Sequence, residues 1–304
     1  MRIVRAVLTA LPVTLALSGP GLFAQATVNY DTVQVRTVPV AKGLYMLQGV
    51  GGNIGVSIGA DAAFLVDDQY AQLSTKIIAA VRALTEKPIR FLVNTHWHGD
   101  HSGGNENLAN TGAIIVAHDN VRVRMSTEQF IAALNARSPA SPPKALPVVT
   151  FSTGVAFHLN GDDIHVVHVS PAHTDGDAII HFTAANVIHM GDVFFNGRYP
   201  LVDLSSGGSF PGIIAAVNQA LRYANDSTKV IPGHGALATR ADLVKYRDML
   251  TAIQTRVADL IKAGRSKEEA IAAKPTRDWD ATHGNGRITG DMLTGFAYDS
   301  MKKP

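Results

Sequence analysis

The chain has no cysteine in 304 residues. That excludes disulfides, thiolate metal ligands and a lipid anchor on cysteine, so any metal must be held by His, Asp or Glu. It also lacks an excess of charge of either sign. The formal net charge is +2, with nothing like the basic footprint of a nucleic-acid binder. Repeats and long low-complexity segments are missing as well. With 46% hydrophobic and 17% charged residues, the composition is that of a well-packed globular protein.

The N-terminus departs from this composition. Arg2 and Arg5 precede the apolar run AVLTALPVTLALSGPGLF, and Ala24-Gln25-Ala26 follows as a small-x-small cleavage signal. Residues 1–26 therefore read as a secretory signal peptide, cleaved after Ala26. Pro12, Ser18, Gly19 and Pro20 interrupt the run, which argues against a membrane anchor. No twin arginine is present, so export is expected in the unfolded state. The mature chain, 27–304, loses two arginines and no acid. It is expected to be neutral overall, periplasmic or secreted, without a stable membrane anchor and without nucleic acid as a partner.

Along 27–304 the pattern alternates. VQVRTVPV and LYMLQG flank the turn Ala41-Lys42-Gly43, and NIGVSIG and AAFLVDD flank Gly59-Ala60-Asp61. Both pairs read as strands. Residues 71–86 place Leu73, Ile77, Ile78, Val81 and Leu84 on one helical face. IRFLVNT (89–95) reads as a buried strand. Residues 134–148, rich in Pro, Ser and Ala, read as a mobile loop. Further on come a hairpin around Asn160-Gly161-Asp162, a second hairpin in AIIHFTAANVIHMGD, and helices over 211–224 and 239–263. Ser266 and Glu269 form a capping box for one more helix. Strands in two groups, each followed by helices, imply an α/β fold of two packed sheets with helices outside.

NTHWHGDHSGGN (94–105) begins at the end of the buried strand, where open α/β architectures place chemistry. His96 and His98 are two apart, so an extended backbone points both to one side. The turn at Gly99 lets Asp100 and His101 present to a neighbouring point. Each pair needs more ligands. His173 in SPAHTDGD, His234 in IPGHG and Asp192 in HMGD supply them from other loops, and the two oxygens of Asp192 suit a bridge. Imidazole and carboxylate donors suit zinc and are compatible with iron or manganese. Two metals close together would activate a water and give hydroxide as nucleophile near neutral pH. The other histidines (His118, His158, His165, His168, His181, His189 and His283) read as structural or surface groups, and Trp97 as a packing residue.

HxHxDH, then AHT, GD and PGHG, resembles the metallo-β-lactamase superfamily over essentially all of 27–304. The resemblance implies a four-layer αββα sandwich with two mixed sheets and the site at one edge. It implies one metal on His96, His98 and His173, a second on Asp100, His101 and His234, and Asp192 bridging. Asp67 in FLVDDQ matches the family's strand-end aspartate, which supports the metal-binding loop. Asp192 stands where one lactamase group has cysteine, and His98 where the diiron flavoproteins have glutamate, which argues against both. Phe195 stands where cysteine-type lactamases carry a carboxylate-gripping lysine; Arg198, three residues further on, reads either as a substitute or as a plain surface arginine.

The expected function is a dinuclear zinc hydrolase using a metal-bound hydroxide on a small-molecule substrate, with a β-lactam-like or lactone ring favoured. Asp100 and Asp192 are the expected catalytic residues, Asp100 also orienting the nucleophilic water. Alternatives are a glyoxalase II type thioesterase, a mononuclear iron persulfide dioxygenase, and a non-catalytic periplasmic metal-binding accessory protein. The turn at 49–53 and the loop 134–148 are expected as flaps. The loop 204–209 reads either as a mouth element or as a helix cap.

Overall fold

The computed structural model describes residues 28–302. The expected signal peptide, 1–26, lies outside them. The first sheet contains β1 (Arg36–Ala41), β2 (Leu44–Gln48), β3 (Ile54–Ser57), β4 (Ala63–Val66), β5 (Ile89–Val93) and β6 (Ile114–His118). A short antiparallel hairpin of β7 (Gln129–Ile131) and β8 (Ala136–Ser138) stands apart, and β9 (Val149–Phe151) completes the first sheet at its edge. β1 to β4 pair antiparallel, and β4, β5, β6 and β9 pair parallel.

The second sheet runs in order β10 (Gly154–Leu159), β11 (Asp162–His168), β12 (Ala178–Phe182), β13 (Val187–His189), β14 (Lys229–Ile231) and β15 (Ala238–Thr239). It is antiparallel except for the β13–β14 pair. The helices are α1 (Ser74–Arg82), α2 (Gly99–Ser102), α3 (Asn105–Asn110), α4 (Asp119–Met125), α5 (Phe210–Tyr223), α6 (Arg240–Lys262), α7 (Lys267–Ala272), α8 (Asp280–His283) and α9 (Gly290–Lys302).

The layers follow from strand periodicity. On β4, Phe64 and Val66 point to one face and meet Ile164, Val166, Ile180 and Phe182 of the second sheet. Ala63 and Leu65 point to the other face and meet Leu73, Ile77 and Val81 beside and within α1. A one-residue slip would exchange these faces, so register is strongly fixed. The outer face of the second sheet is covered by α5, α6 and α9 through Ile213, Val217, Leu250, Ile253 and Leu293. The result is the expected four-layer αββα sandwich. Thr239 and Ser266 close capping boxes on Asp242 and Glu269 and fix where α6 and α7 begin.

Two expectations change. Residues 134–148 are not one mobile loop. Ala136–Ser138 pairs with Gln129–Ile131, with Asn135 left-handed at φ 48° to turn the chain. The turn at 49–53 is not a free flap. Gly52 N–H donates to the Asp100 carbonyl at 3.0 Å, Asn53 N–H to Gly233 O at 2.7 Å, and Asn53 Nδ2 to Pro232 O at 2.9 Å. These bonds make the turn a fixed wall of the site. No helix among the described residues is long and apolar enough to cross a membrane.

Candidate metal centre

The ends of β4, β5, β13 and β14 and the loop before β12 meet at one edge of the sandwich. There the structure brings together all seven residues read from the sequence. The donor atoms of His96, His98 and His173 lie within 4.8 Å of one another, and so do those of Asp100, His101 and His234. Asp192 lies between the sets. Its Oδ2 is 3.5 Å from His173 Nε2 and 3.9 Å from His96 Nε2. Its Oδ1 is 3.0 Å from His101 Nε2 and 3.4 Å from His234 Nε2. One carboxylate thus addresses both sets with separate oxygens.

The neighbours of each ring fix which nitrogen faces inward. His98 Nε2 contacts Asp203 Oδ2 at 3.1 Å, leaving Nδ1 towards the site. His173 Nδ1 contacts Leu201 O at 2.8 Å, leaving Nε2. His101 Nδ1 contacts Asp67 Oδ2 at 2.8 Å, again leaving Nε2. Such outer partners orient a metal-ligating imidazole and set its tautomer. Asp67 also accepts from Thr95 N–H at 2.7 Å and from Thr95 Oγ1 at 2.8 Å, and Thr95 Oγ1 in turn meets His96 Nδ1 at 3.0 Å. One buried carboxylate therefore organises two rings. Asp67 does this from φ 64°, a left-handed conformation in which strain is tolerated when surrounding bonds over-determine it.

The electrostatics fit a cation. Buried His96 Nε2 has no hydrogen-bond partner, and Asp192 Oδ1 has none of good angle although His101 Nε2 lies 3.0 Å away, an expensive arrangement unless another group satisfies them. Burial pushes His96 and His173 down, so both favour the neutral, ligating form. Burial also opposes charge on His101 and His234. There Asp192 and Asp100 outweigh it, raising His101 and taking His234 up to about 9. In return, burial resists ionisation of Asp100 and Asp192, but the charge of His101 and His234 holds both carboxyls below the usual range. Protons on those two rings thus stand where positive charge is wanted. The donor set and the unsatisfied atoms fit divalent metals.

Glycines let the walls close on the ligands. A Cβ at Gly52 would fall on the His101 ring, and one at Gly233 on Asp192 Oδ1. Phe195 stacks on His234 with centroids 5.3 Å apart at 16°. Trp97 packs with Val121, Met125 and Ala145, as expected of it.

Sequence reasoning missed Asp203. This fully buried residue accepts from Ser205 N–H at 3.1 Å, Ser206 N–H at 3.2 Å and Ser206 Oγ at 2.5 Å while holding His98. The cap reading of the loop 204–209 holds: Asp203 caps the short 3-10 turn and Ser209 caps α5. Asp-x-Ser-Ser signalled a cap but not its second partner 105 residues away. Replacing Asp203 by Asn keeps an acceptor for the cap and removes the charge that steadies His98. Metal affinity is expected to fall about 10-fold or more, the scale found when a ligand's supporting carboxylate is lost. Competition with a chromophoric chelator checks this, and unchanged affinity would contradict it.

The open side of the centre is a cavity of about 480 Å³, reached by His98, Asp100, Asp192 and His234. Arg198, exposed on its rim, lines it, and so do Tyr70, Arg137 and Arg287, which the sequence did not single out.

Residues 56–251 match the family model described as the metallo-beta-lactamase superfamily, and the chain belongs to that superfamily. An uncharacterized protein of Mycobacterium tuberculosis is 28% identical over 192 residues, covering 60% of this chain and 83% of the relative. A metallo-beta-lactamase from Pontibacter korlensis has a similar fold, with TM-score 0.60 and 17% identity over 72% of this chain and 99% of its own. The sec-alkylsulfatase Pisa1 from Pseudomonas sp. is similar too, with TM-score 0.65 and 16% identity over 87% of this chain and 50% of its own.

Proposed function

We propose that the chain is a dinuclear zinc hydrolase that opens a carbonyl bond in a small molecule, a β-lactam-like or lactone ring being favoured. The observation that carries this reading is Asp192, whose two oxygens each face one complete set of three donors. Zinc is preferred because every donor is imidazole or carboxylate. When bound, the two ions would supply Lewis acidity and a water of lowered pKa. The remaining work belongs to the chain. Asp192 sets the spacing of the two sets. Asp100 has a side chain 25% exposed against 5% for Asp192, so it is the carboxylate that reaches the cavity and orients an attacking water. Asp67, Asp203 and the Leu201 carbonyl hold the rings in place. We also place the working protein in the periplasm or outside the cell, on the strength of residues 1–26.

Two measurements test this reading. Zinc titration of residues 27–304 should give two tight sites per chain. Proton release should then report turnover of one class in a panel of β-lactams, lactones and thioesters; turnover of alkyl sulfates alone, tried because of the sulfatase likeness, would overturn the carbonyl reading. One iron per chain with oxygen uptake, or silence across the panel with two zincs bound, would overturn it.

Metal binding should also displace protons. Below pH about 9 the metal-free site keeps a proton on His234, and a ligating ring must shed it. Zinc affinity is therefore expected to rise with pH up to about 9 and to flatten above it. Calorimetry at pH 7 in buffers of different ionisation enthalpy should detect at least one proton released per chain. Zinc binding with no proton release would contradict the assignment of His234 as a ligand.

A further inference from the structure

Resting on the reading of Asp100, His101 and His234 as one set of ligands, we propose that Asn53 is the positioning residue that holds His234 in that set. The other ligand rings each have an outer partner. His96 Nδ1 meets Thr95 Oγ1, His98 Nε2 meets Asp203, His101 Nδ1 meets Asp67, and His173 Nδ1 meets the Leu201 carbonyl. Among the described residues, His234 has none. Its Nε2 faces inward, 3.3 Å from Asp100 Oδ2 and 3.4 Å from Asp192 Oδ1, and no group of the chain hydrogen-bonds its Nδ1. Phe195 stacks on the ring, which sets the ring's plane and still lets it slide. The place of His234 is therefore fixed through its backbone.

That backbone is pliant by composition. His234 stands between Gly233 and Gly235, and neither glycine can be replaced without strain. A Cβ at Gly233 would fall on Asp192 Oδ1, and Gly235 adopts φ 107°, a conformation that favours glycine. The freedom that glycine adds has to be removed by other contacts. The second sheet removes part of it: Gly233 N–H donates to Gly191 O at 2.8 Å, and Asn196 N–H donates to His234 O at 2.9 Å. The carbonyls of 232, 233 and 235 remain, and Asn53 takes all three. Its Nδ2 donates to Pro232 O and to Gly235 O, each at 2.9 Å, and its N–H donates to Gly233 O at 2.7 Å. Asn53 is itself buried and held. Gln48 Nε2 donates to its Oδ1 at 3.4 Å and to Gly235 O at 3.0 Å, and His189 Nε2 donates to its carbonyl at 3.1 Å. Gly191 N–H donates to His189 Nδ1 at 3.2 Å, which fixes that tautomer. A residue leading into β3 of the first sheet thus grips both sides of a ligand carried by the second. A side-chain amide suits the task, with two N–H groups for two carbonyls and an oxygen for Gln48. Among the described residues, the rings of His96, His98 and His173 take no hydrogen bond from Asn53, so loss of its side chain should leave their set intact.

Stepwise zinc titration against a chromophoric chelator tests this in Asn53→Ala, which keeps the backbone bond to Gly233 and loses both bonds from Nδ2. One of two binding steps is expected to weaken about tenfold or more, the scale seen when a ligand's outer partner is removed. It should be the step that His234→Ala removes. In N53A/H234A the remaining step should match that of H234A alone, since Asn53 acts through His234 and a general structural role would add its own cost. Equal weakening of both steps, unchanged affinity, or a further loss on adding N53A to H234A overturns the proposal. A second readout needs no metal. In metal-free N53A the Gly233 and Asn196 amides should exchange with solvent about tenfold or more faster, as two buried hydrogen bonds lost beside them predict, with the amides of α5 unchanged. Unchanged exchange at Gly233 and Asn196 also overturns the proposal. Should the unmodified chain bind a single zinc, the dinuclear reading falls and the exchange measurement still decides the role of Asn53. Asn53→Ser replaces the alanine variant if that one does not fold, with the same outcomes.

Discussion

Asp192→Asn is expected to cut turnover steeply and, on the dinuclear reading, to cost one of two bound metals, while the fold survives. Asparagine has nearly the same shape as aspartate, so the buried space around position 192 stays filled. Its chemistry differs on one side. A carboxylate offers an acceptor to each set of donors, Oδ1 towards His101 and His234 and Oδ2 towards His96 and His173. An amide offers one acceptor and presents N–H groups to the other set, which cannot ligate a cation. The negative charge that would balance two cations in a buried site is lost as well. We expect kcat to fall by roughly 10²–10³-fold or more, the scale of removing a principal electrostatic group from an active site. Elemental analysis should find close to one zinc per chain, and far-ultraviolet circular dichroism should be unchanged. Full activity, or two zincs held as tightly as before, would sink the dinuclear reading.

Gly52→Ala tests the site from the opposite direction, by adding an atom. The new methyl falls on the His101 ring. That ring cannot retreat easily: it is fully buried and Asp67 holds its far nitrogen at 2.8 Å. The turn 49–53 cannot lift without breaking the bond from Gly52 N–H to the Asp100 carbonyl. Overpacking of this kind typically costs about 1–3 kcal/mol. Here the strain lands on a ligand, so the expected outcome is weakened metal at Asp100, His101 and His234 and a drop in activity of about 100-fold, the cost of a small misplacement of catalytic groups. Gly99→Ala is the control. A Cβ there meets nothing within 4 Å, so both metals should remain. If Gly52→Ala binds and turns over like the control, the close packing described for His101 is wrong.

The ligands were legible because of where they stand. His96 to His101 follow a strand whose apolar run is unmistakable, and His173, Asp192 and His234 lie beside short strands and glycines. Two layers of sheet were legible because the strands come in two groups, each followed by helices. Asp203 was hidden because a cap motif accounts for it locally, and nothing near it points to His98. The hairpin of β7 and β8 was hidden for another reason. Three residues per strand are too few to show a period, and the Pro and Ser of 139–143 dominate any window that includes them. Arg287 sits in a turn whose sequence carries no chemical signal. Only the contact of that turn with Arg198 brings it to the cavity. The pinning of 49–53 depends on bonds to Asp100, Pro232 and Gly233, and no local pattern encodes partners so distant.

The ligand positions have a consequence for how the molecule holds itself together. His96, His98, Asp100 and His101 hang from the first sheet, while His173, Asp192 and His234 hang from the second. Neither half of the sequence owns either complete set of donors. On the dinuclear reading, a bound pair of cations would be a clasp across the seam of the sandwich, closed only after both halves have docked. Metal binding would deepen the folded state by mass action, and a chain still searching for its partner sheet has nothing to close. The same geometry that prepares a reaction also certifies that the two layers have found each other.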